Sequence, residues 1–333
     1  MKKVHILIFS RDRALQLDAT LRSLLIHTNQ DQIASLSVLY RVSSPRFLCQ
    51  YKQLIPDYPQ VKFIEERDFR KDLIKIIAET ITHPFARIVF GIFANLNGFR
   101  CVWRRSIAEL IMKTLSKLGI RLGRLPLSSW STGHYWLLTV DDNLFIRPLD
   151  FGEIIDVLER HPLAIGFSLR LGENTQYCYM RDTPQKTPEF IRDELNPKIL
   201  HFDWENAEHD FGYPLEISGT LYRSSLLVPL IASLHFTSPN TLESKMASLK
   251  SWFARKYPKL ICYSSSVAFC VPLNKVQQDQ SHNRSGNASA YSIEGLADLF
   301  DEGKRVDLAT LSQFTPNACH QEVELSFIQV PRE

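Results

Sequence analysis

The tripeptide Asp141-Asp142-Asn143 is the part of this chain whose residue types and spacing most clearly suit chemistry. It follows an apolar run at residues 135–140 that is typical of a buried strand. Two adjacent carboxylates are costly to bury without a cation, and oxygen ligands of this kind suit Mg²⁺ or Mn²⁺. The alternative is a polar turn in which Asp142 or Asn143 caps the next element. The apolar run before the acids favours the metal site.

A second polar group, at residues 10–13, follows the first apolar run of the chain, at residues 4–9. Ser10 or Asp12 can cap a helix at this point. In parallel sheets wrapped by helices, ligands bind beyond the carboxyl ends of the strands, which is where these residues are expected. Arg11 and Arg13 are therefore candidates for binding a phosphate, although either could be a solvated residue at the start of a helix.

The elements that must position these two groups alternate between strand and helix. Apolar residues recur at helical spacing from Ala14 to about His27, directly after the first strand. Strands are predicted at 36–40 and 61–64, with a polar and helical stretch between them. This alternation indicates a parallel sheet wrapped by helices, and so an α/β fold. Further along, we predict strands at 164–169, 176–180 and 267–271, helices at 72–81, 153–160 and 226–234, and a last helix capped by Ser292 and ending at Gly303.

The segment at residues 202–223 is rich in acids, aromatic residues and glycines and has poor periodicity. Loops of that composition often build functional sites. Its candidates are Asp203, Trp204, Asp210, Glu216 and Gly219. For any single acid, a position on a surface loop is the alternative interpretation.

The composition excludes several classes of protein. The chain has 333 residues, of which 44% are hydrophobic and 23% are charged, and these fractions exclude collagen-like, coiled-coil and wholly disordered proteins. Thirty-nine Lys and Arg against 36 Asp and Glu leave a net charge of +3. That balance gives no argument for a nucleic-acid partner.

The cysteines and the apolar runs indicate a cytoplasmic protein. No two of the six cysteines are spaced as a C-x-x-C pair, and in a chain this long they are expected to be thiols of a reducing compartment. The N-terminus lacks the apolar core and cleavage site of a secretion signal. No apolar stretch of about 18 residues is present, so we expect no spanning helix.

A basic segment at residues 100–124 carries seven basic residues and one acid, Glu109, beside an apolar face. A basic amphipathic helix of this kind can lie on an anionic membrane surface, which would place the protein peripherally at the inner face of the membrane. An ordinary surface helix with a solvated basic face is the alternative.

With these two polar groups in an α/β pattern, the chain resembles the GT-A glycosyltransferases, which depend on nucleotide sugars. The opening ILIFSRDRALQLDATLRSL, residues 6–24, is similar to the family-2-type start, in which the first strand runs into a turn that holds the nucleotide base. Asp141-Asp142-Asn143 resembles the D-x-D site of these enzymes, with Asn143 where an acid is usual. The usual D-D-G-S after the second strand is absent, since residues 40–44 read Tyr-Arg-Val-Ser-Ser.

The resemblance implies a GT-A, Rossmann-like fold with a mixed, mainly parallel sheet flanked by helices. It implies one catalytic domain over residues 1–333, with a nucleotide-sugar-binding half at 1–150 and an acceptor-binding half at 151–333. A helical basic insertion is expected at about 82–133. The implied activity is metal-assisted transfer of a sugar from a nucleotide-sugar donor to an acceptor hydroxyl, in surface glycan or glycolipid synthesis. The acceptor would be a glycan or a lipid-linked molecule.

The resemblance also assigns roles to residues. The donor would be bound by Ser10, Arg11, Arg13, Asp141 and Arg284. The ligands of Mn²⁺ or Mg²⁺ would be Asp141 and Asp142, with a histidine near the C-terminus, His320 or else His282. An inverting transfer needs a carboxylate that deprotonates the acceptor hydroxyl, and Asp210 and Glu216 are the preferred candidates, with Asp203 third. Trp204 could stack on a sugar face. A retaining transfer would need no such base.

Two other functions are open at this point. A nucleotidyltransferase normally has a glycine-rich phosphate loop after its first strand, and residues 10–13 contain no glycine. A GT-A-like binding or scaffolding protein that has lost catalysis is favoured by Asn143 and by the missing D-D-G-S motif.

Overall fold

The structure is a computed structural model that describes residues 2–81, 134–275, 284–286 and 291–330, together with Arg87, Phe90, Gly91 and Ala94. The basic segment at 100–124 and His282 lie outside these residues, as does most of the expected insertion at 82–133. Among the described residues, no helix is both long and apolar enough to cross a membrane.

The first half of the chain alternates strand and helix, as the hydrophobic pattern predicts. Its elements are β1 (Val4–Arg11), α1 (Ala14–His27), β2 (Ile33–Arg41), α2 (Pro45–Leu54), β3 (Val61–Glu65), α3 (Phe69–Thr80) and β4 (Tyr135–Val140). Short 3-10 helices lie at Gln30–Gln32 and Ile55–Asp57. The four strands are parallel and lie in the order β3-β2-β1-β4, so β1 and β4 are neighbours although about 125 residues separate them.

The second half contains shorter strands between its helices. Its elements are β5 (Asn143–Phe145), α4 (Phe151–Arg160), β6 (Ala164–Ser168), β7 (Tyr177–Cys178), β8 (Thr183–Pro184), β9 (Ile191–Arg192), β10 (Ile199–Asp203), β11 (Thr220–Arg223), α5 (Ser224–Ser233), α6 (Pro239–Ala247), α7 (Lys250–Ala254), β12 (Lys259–Tyr263), β13 (Ala268–Cys270), α8 (Ile293–Asp301), β14 (Lys304–Val306) and β15 (Phe327–Gln329). Further 3-10 helices lie at Tyr179–Arg181 and Leu308–Leu311.

In the described part of the chain, one central sheet of nine strands joins both halves, in the order β3-β2-β1-β4-β11-β6-β12-β10-β9. Only β11 and β10 run against the direction of β1, because both of their pairings are antiparallel while the other neighbours in the sheet are parallel. The predicted α/β fold with a mixed, mainly parallel sheet is thereby confirmed.

The sheet is buried on both faces, because successive side chains of its central strands point to opposite sides. In β1, Ile6 and Ile8 pack into one hydrophobic cluster, whereas Leu7 and Phe9 pack into the other. The first cluster includes buried side chains of α1, α2, α4 and α8, and the second includes those of α3, α5, α6 and α7. Helices therefore cover both faces, and the ends of the strands are left to form a site.

Two local predictions were wrong for reasons of local geometry. The strand expected at 176–180 pairs only at Tyr177–Cys178, because the chain then turns through a 3-10 helix to Asp182, whose φ is +53°. Neither Ser10 nor Asp12 caps α1: its N-cap residue is Arg13, which has no capping side-chain hydrogen bond. The side chains of Ser10 and Asp12 bind elsewhere, as described below.

We predict that Gly166→Ala lowers the free energy of unfolding by about 1–3 kcal/mol, the usual cost of overpacking a core. Gly166 lies in β6, and a Cβ there would approach the carbonyl oxygen of Leu221 and the Thr220 methyl group in β11 to 2.8 Å each. Since both contacts are on a paired strand, β11 would have to shift. Urea unfolding followed by circular dichroism measures the change, and an unfolding midpoint equal to that of the wild type would contradict the prediction.

Candidate functional site

The carboxyl ends of β1 and β4 lie side by side and open into one cavity. Phe9 pairs with Val140, and the backbone N–H of Asp141 donates to the carbonyl of Phe9 at 3.1 Å. The cavity has a volume of about 1080 Å³, at the upper end of the roughly 300–1,000 Å³ usual for small-molecule sites. It is lined by each residue of the expected site: Ser10, Arg11, Arg13, Asp141, Asp142, Asp210, Glu216, Arg284 and His320. The structure therefore brings them together.

Asp203 and Trp204 do not line this cavity. The Asp203 carboxylate is exposed and forms an ion pair with Lys259 at 2.8 Å. The Trp204 ring is fully buried, and its indole N–H donates to the carbonyl of Tyr257 at 2.7 Å. Neither side chain is placed to contact a sugar in the cavity.

The turn after β1 is shaped around Asp141. Ser10 Oγ donates to Asp141 Oδ2 at 2.8 Å, and the backbone N–H of Arg11 donates to the same oxygen at 3.0 Å. Asp12 has a φ of +55°, and its Oδ1 accepts the backbone N–H of Ser43 at 2.7 Å. Of the two predicted capping side chains, Ser10 therefore binds the acid, whereas Asp12 ties the turn to the segment after β2.

The Arg13 guanidinium lies between the two acids of the motif. Its Nη1 is 3.1 Å from Asp141 Oδ1 and 3.1 Å from Asp142 Oδ2. Nε donates to Asn274 Oδ1 at 3.0 Å and Nη2 donates to the Asn274 carbonyl at 2.5 Å. Only 9% of the Arg13 side chain is exposed. The orientation of this cation is therefore fixed on three sides.

Charge and burial act in opposite directions on this group. Burial raises the pKa of Asp141 above its usual range, the positive charge of Arg13 opposes that rise, and the neighbouring Asp142 adds to it. Burial alone would lower the pKa of Arg13, but the attraction of both carboxylates raises it above its ordinary value. Arg13 therefore keeps its charge at any working pH.

Asn143 faces away from the cavity. The side chain is fully buried, and its Nδ2 donates to Thr139 Oγ1 and to the carbonyl of Ser218, each at 2.9 Å. Asn143 does not line the cavity. The side chain of Asn143, the third residue of the motif, therefore links the end of β4 to the segment before β11 by hydrogen bonds inside the fold.

The opposite wall of the cavity is built around a second buried arginine. Arg170 Nη2 donates to Glu216 Oε2 at 2.8 Å, and that oxygen also accepts the backbone N–H of Ser218. Thr220 Oγ1 donates to Glu216 Oε1 at 2.5 Å. A Cβ at Gly219 would lie 3.0 Å from Arg170 Cγ, and φ there is +156°, so glycine suits this close approach. Both oxygens of Glu216 are therefore already engaged.

His320 is half-buried beside Arg170. Arg170 Nη1 lies 3.4 Å from His320 Nε2, so Nε2 must accept and the proton must be on Nδ1. Burial, together with the charge of Arg170, lowers the pKa of His320 well below its usual range. The ring is therefore neutral.

The expected metal ligands do not form an open metal site in the described residues. No three His, Cys, Asp or Glu side chains within that part of the chain are grouped so that they could hold a metal ion. Asp141 and Asp142 accept from Arg13, His320 Nε2 accepts from Arg170, and Asn143 points inward. This donor set does not fit a divalent cation. The metal expected from the resemblance stays a prediction.

Two other carboxylates face the cavity with weaker partners. Asp210 accepts only long bonds, from Cys178 Sγ at 3.6 Å and from Gln185 Nε2 at 3.4 Å, and burial raises its pKa. Glu243 lies on α6, and burial, with the charge of Glu216, raises its pKa to about 7. A carboxylate with this pKa is half deprotonated near neutrality, which suits a general base.

Glu243 was not among the residues proposed from sequence. The signal that could have found it is the capping pattern before α6, in which Ser238 and Thr241 form a capping box and Pro239 is the first helical residue. That pattern predicts the start of a helix. Residues that are three or four positions apart along this helix then lie on the same face of it. The residues of this face that line the cavity are Asn240, Glu243, Ser244 and Ala247.

Arg284 lies at the rim of the cavity. Its Nη1 forms an ion pair with Asp182 at 2.8 Å, and its guanidinium carbon is 5.0 Å from the centre of the Tyr179 ring. With 42% of the side chain exposed, this arginine can still be reached by a ligand that enters the cavity.

The chain is similar in sequence to a known transferase, although no family model matches it. It is 23% identical over 298 residues to the bifunctional glycosyltransferase pgtA of Dictyostelium discoideum. The resemblance to glycosyltransferases is confirmed. The alignment covers 82% of this chain but 32% of that protein, so the chain spans about a third of the length of this relative.

Two solved structures are distantly similar. One is 4-diphosphocytidyl-2C-methyl-D-erythritol synthase, with 12% identity, a TM-score of 0.32 and coverage of 89% of this chain and 99% of that chain. The other is mouse xyloside xylosyltransferase 1 in its apo form, with 11% identity, a TM-score of 0.27 and coverage of 88% and 93%. Scores of this size do not establish a shared fold, so the architecture rests on the sheet described above.

We predict that Asn143→Asp, which restores the usual acid of the motif, destabilises the protein. The new carboxylate would face the Ser218 carbonyl without a proton to donate, and a buried unsatisfied group costs about 1–3 kcal/mol or more. Urea unfolding measures the loss. Asn240→Asp, at the half-buried start of α6, is the matched control and should change stability by no more than about 0.5 kcal/mol. Equal stabilities for both variants would contradict the inward role of Asn143.

Proposed function

We propose that this protein is a nucleotide-sugar-dependent glycosyltransferase that moves a sugar from a nucleoside diphosphate to an acceptor hydroxyl. The observation that carries the proposal is a single cavity with Arg11, Arg13 and two acids at the end of β1 and β4, and with three further carboxylates on the opposite wall. The sequence similarity to a glycosyltransferase and the mainly parallel sheet support it.

The donor would lie at the carboxyl ends of β1 and β4, where parallel sheets of this kind bind ligands. Ser10 and Asp141 would lie beside the nucleoside, and Arg11 and Arg284 would reach its phosphates from the cavity wall and rim. Arginines pair well with phosphate oxygens because their N–H groups form a planar fork. A lipid-linked or surface glycan acceptor, and contact of the basic segment with an anionic membrane, stay predictions from the sequence.

The transfer would be inverting, with Glu243 as the base. The acceptor hydroxyl oxygen attacks the anomeric carbon and gives its proton to the Glu243 carboxylate. The bond from that carbon to the phosphate oxygen breaks, and its electron pair leaves with the nucleoside diphosphate. Glu216 is less suited to this step because Arg170, Ser218 and Thr220 occupy its oxygens. Asp210 stays the second candidate.

We predict that Glu243→Gln lowers kcat by about 10²–10⁴-fold, the usual contribution of a general base, and changes KM little. Below pH 7 the wild-type rate should fall about tenfold per pH unit, because the pKa of Glu243 is about 7 and only the deprotonated carboxylate can take the proton. The rate of the variant should not show this decrease below pH 7. Rates of nucleoside diphosphate release across pH 5–9 measure both effects.

Glu79→Gln is the matched control, since this exposed carboxylate pairs with Lys62 outside the cavity and its loss should leave the profile unchanged. If the pH dependence of the rate is unchanged in Glu243→Gln but the decrease below pH 7 is absent in Asp210→Asn, the general base is Asp210 and not Glu243.

A binding protein without catalysis is the second candidate, and the acids held by Arg13 favour it. A screen of nucleotide sugars for released nucleoside diphosphate separates the two functions. Release above the uncatalysed rate supports the transferase. Tight binding of a nucleotide sugar with no release, with or without Mn²⁺, would leave the binding protein.

A further inference from the structure

We infer that Arg13 is the resident cation of the Asp141–Asp142 pair, and that the cavity binds a nucleoside diphosphate through arginines without a divalent metal ion. The identity of the ligand rests on the proposed function. The role of Arg13 rests on the geometry of the site alone.

The first argument is the position of the guanidinium. A divalent cation held between the two acids by Asp141 Oδ1 and Asp142 Oδ2 would occupy the place of Arg13 Nη1, which lies 3.1 Å from both oxygens. Two cations cannot share these oxygens at contact distance without strong repulsion. A metal ion could bind at this place only if the guanidinium left.

The second argument is that the guanidinium is held from its other side as well. Asn274 accepts from Nε through its side chain and from Nη2 through its carbonyl. Together with the two acids, these bonds use four of the five N–H groups of Arg13. Displacement would break all four bonds and would leave a nearly buried guanidinium without partners, which is costly.

The third argument comes from the other expected ligands. His320 Nε2 faces Arg170 Nη1, and Asn143 donates to the Ser218 carbonyl inside the fold. His320 Nε2 is therefore used within the protein, and the Asn143 carboxamide lies inside the fold, away from the cavity, with its Oδ1 buried. The described residues offer no third His, Cys, Asp or Glu grouped with the acidic pair.

The arginines also leave N–H groups for a diphosphate. Arg13 has one spare N–H on Nη2, whereas the Nε atoms of Arg11 and Arg170 are buried and Arg11 Nε lies 3.6 Å from Asp12 Oδ2. The three contacts of Arg170 Nη1 are long, at 3.4–3.5 Å. Since all three arginines line the cavity, they can supply the positive charge that stabilises a departing diphosphate.

Calorimetric titration of the 333-residue chain with UDP, GDP, CDP and dTDP tests the inference, once in EDTA and once in Mn²⁺. We expect at least one nucleotide to bind in EDTA with a Kd within about threefold of its Kd in Mn²⁺. The loss of a ligand to the nucleotide would raise the Kd by about tenfold, which corresponds to about 1.4 kcal/mol of binding free energy. Titration of the nucleotide-free protein with Mn²⁺, followed by electron paramagnetic resonance, should show no bound ion at the acidic pair.

Asp142→Asn is the decisive variant, because Asp142 is partly exposed and the change keeps its shape. If arginines bind the diphosphate, removal of one negative charge should leave the Kd in EDTA equal or lower. If a metal binds it, the loss of a ligand should weaken nucleotide binding in Mn²⁺ by about tenfold or more.

Arg13→Gln should weaken binding in EDTA by about tenfold or more, and Mn²⁺ should then restore it, because the two carboxylates become available. Arg46→Gln is the matched control: this arginine also lies among carboxylates, those of Glu294, Asp298 and Asp301, but does not line the cavity.

The outcomes separate the inference from the proposed function. Nucleotide binding by the wild type only in Mn²⁺, or bound Mn²⁺ that is lost in Asp142→Asn, overturns the inference and leaves the transferase intact. No binding of any nucleotide or nucleotide sugar under either condition overturns the proposed function, and the inference about its ligand with it.

Discussion

The burial of the Asp141 carboxylate is the constraint on which the rest of the site depends. A carboxylate that is 3% exposed must be compensated by donors and by a positive charge, or it would cost several kcal/mol. The chain compensates it with Ser10, the backbone of Arg11 and the guanidinium of Arg13. Ser10 and Arg11 end β1 and Arg13 lies in the turn that follows, so the pairing of β1 with β4 and the shape of that turn both compensate the Asp141 carboxylate.

The two halves of the chain are joined at this site by a row of alternating charges. Asp141, Arg13 and Asp142 lie at one end, and Arg170 and Glu216 lie at the other. Cys270 links the two ends, since it pairs with Asn143 in β5 and its Sγ is 3.5 Å from Arg170 Nη1. Four of these five charged groups are buried, Asp142 is partly exposed, and the five charges sum to one net negative charge. Its two arginines are held in place by ion pairs with Asp141, Asp142 and Glu216.

The sequence predicts the parts of this arrangement that lie in continuous apolar runs. β1, α1 and β4 were predicted within two residues because each has its own periodicity, and both polar groups could be placed at the ends of strands. β11 is only four residues long and carries no such pattern, although it lies at the centre of the sheet. The contacts of Arg13 with Asp141 and Asn274 join residues 128 and 261 positions apart, and no local pattern encodes them.

The same contacts explain the departure of this chain from the motif of the enzymes it resembles. An asparagine at position 143 removes one acid that a metal would need, and from sequence this favours a loss of catalysis. In the structure, Asn143 instead gives a neutral bond that a carboxylate could not make to the Ser218 carbonyl. A site that carries its positive charge on Arg13 has no need of a third acid, and a further buried carboxylate would add an uncompensated charge. Asn143 therefore avoids a further buried negative charge, and Arg13 compensates the two carboxylates that are present. Neither residue requires that activity has been lost.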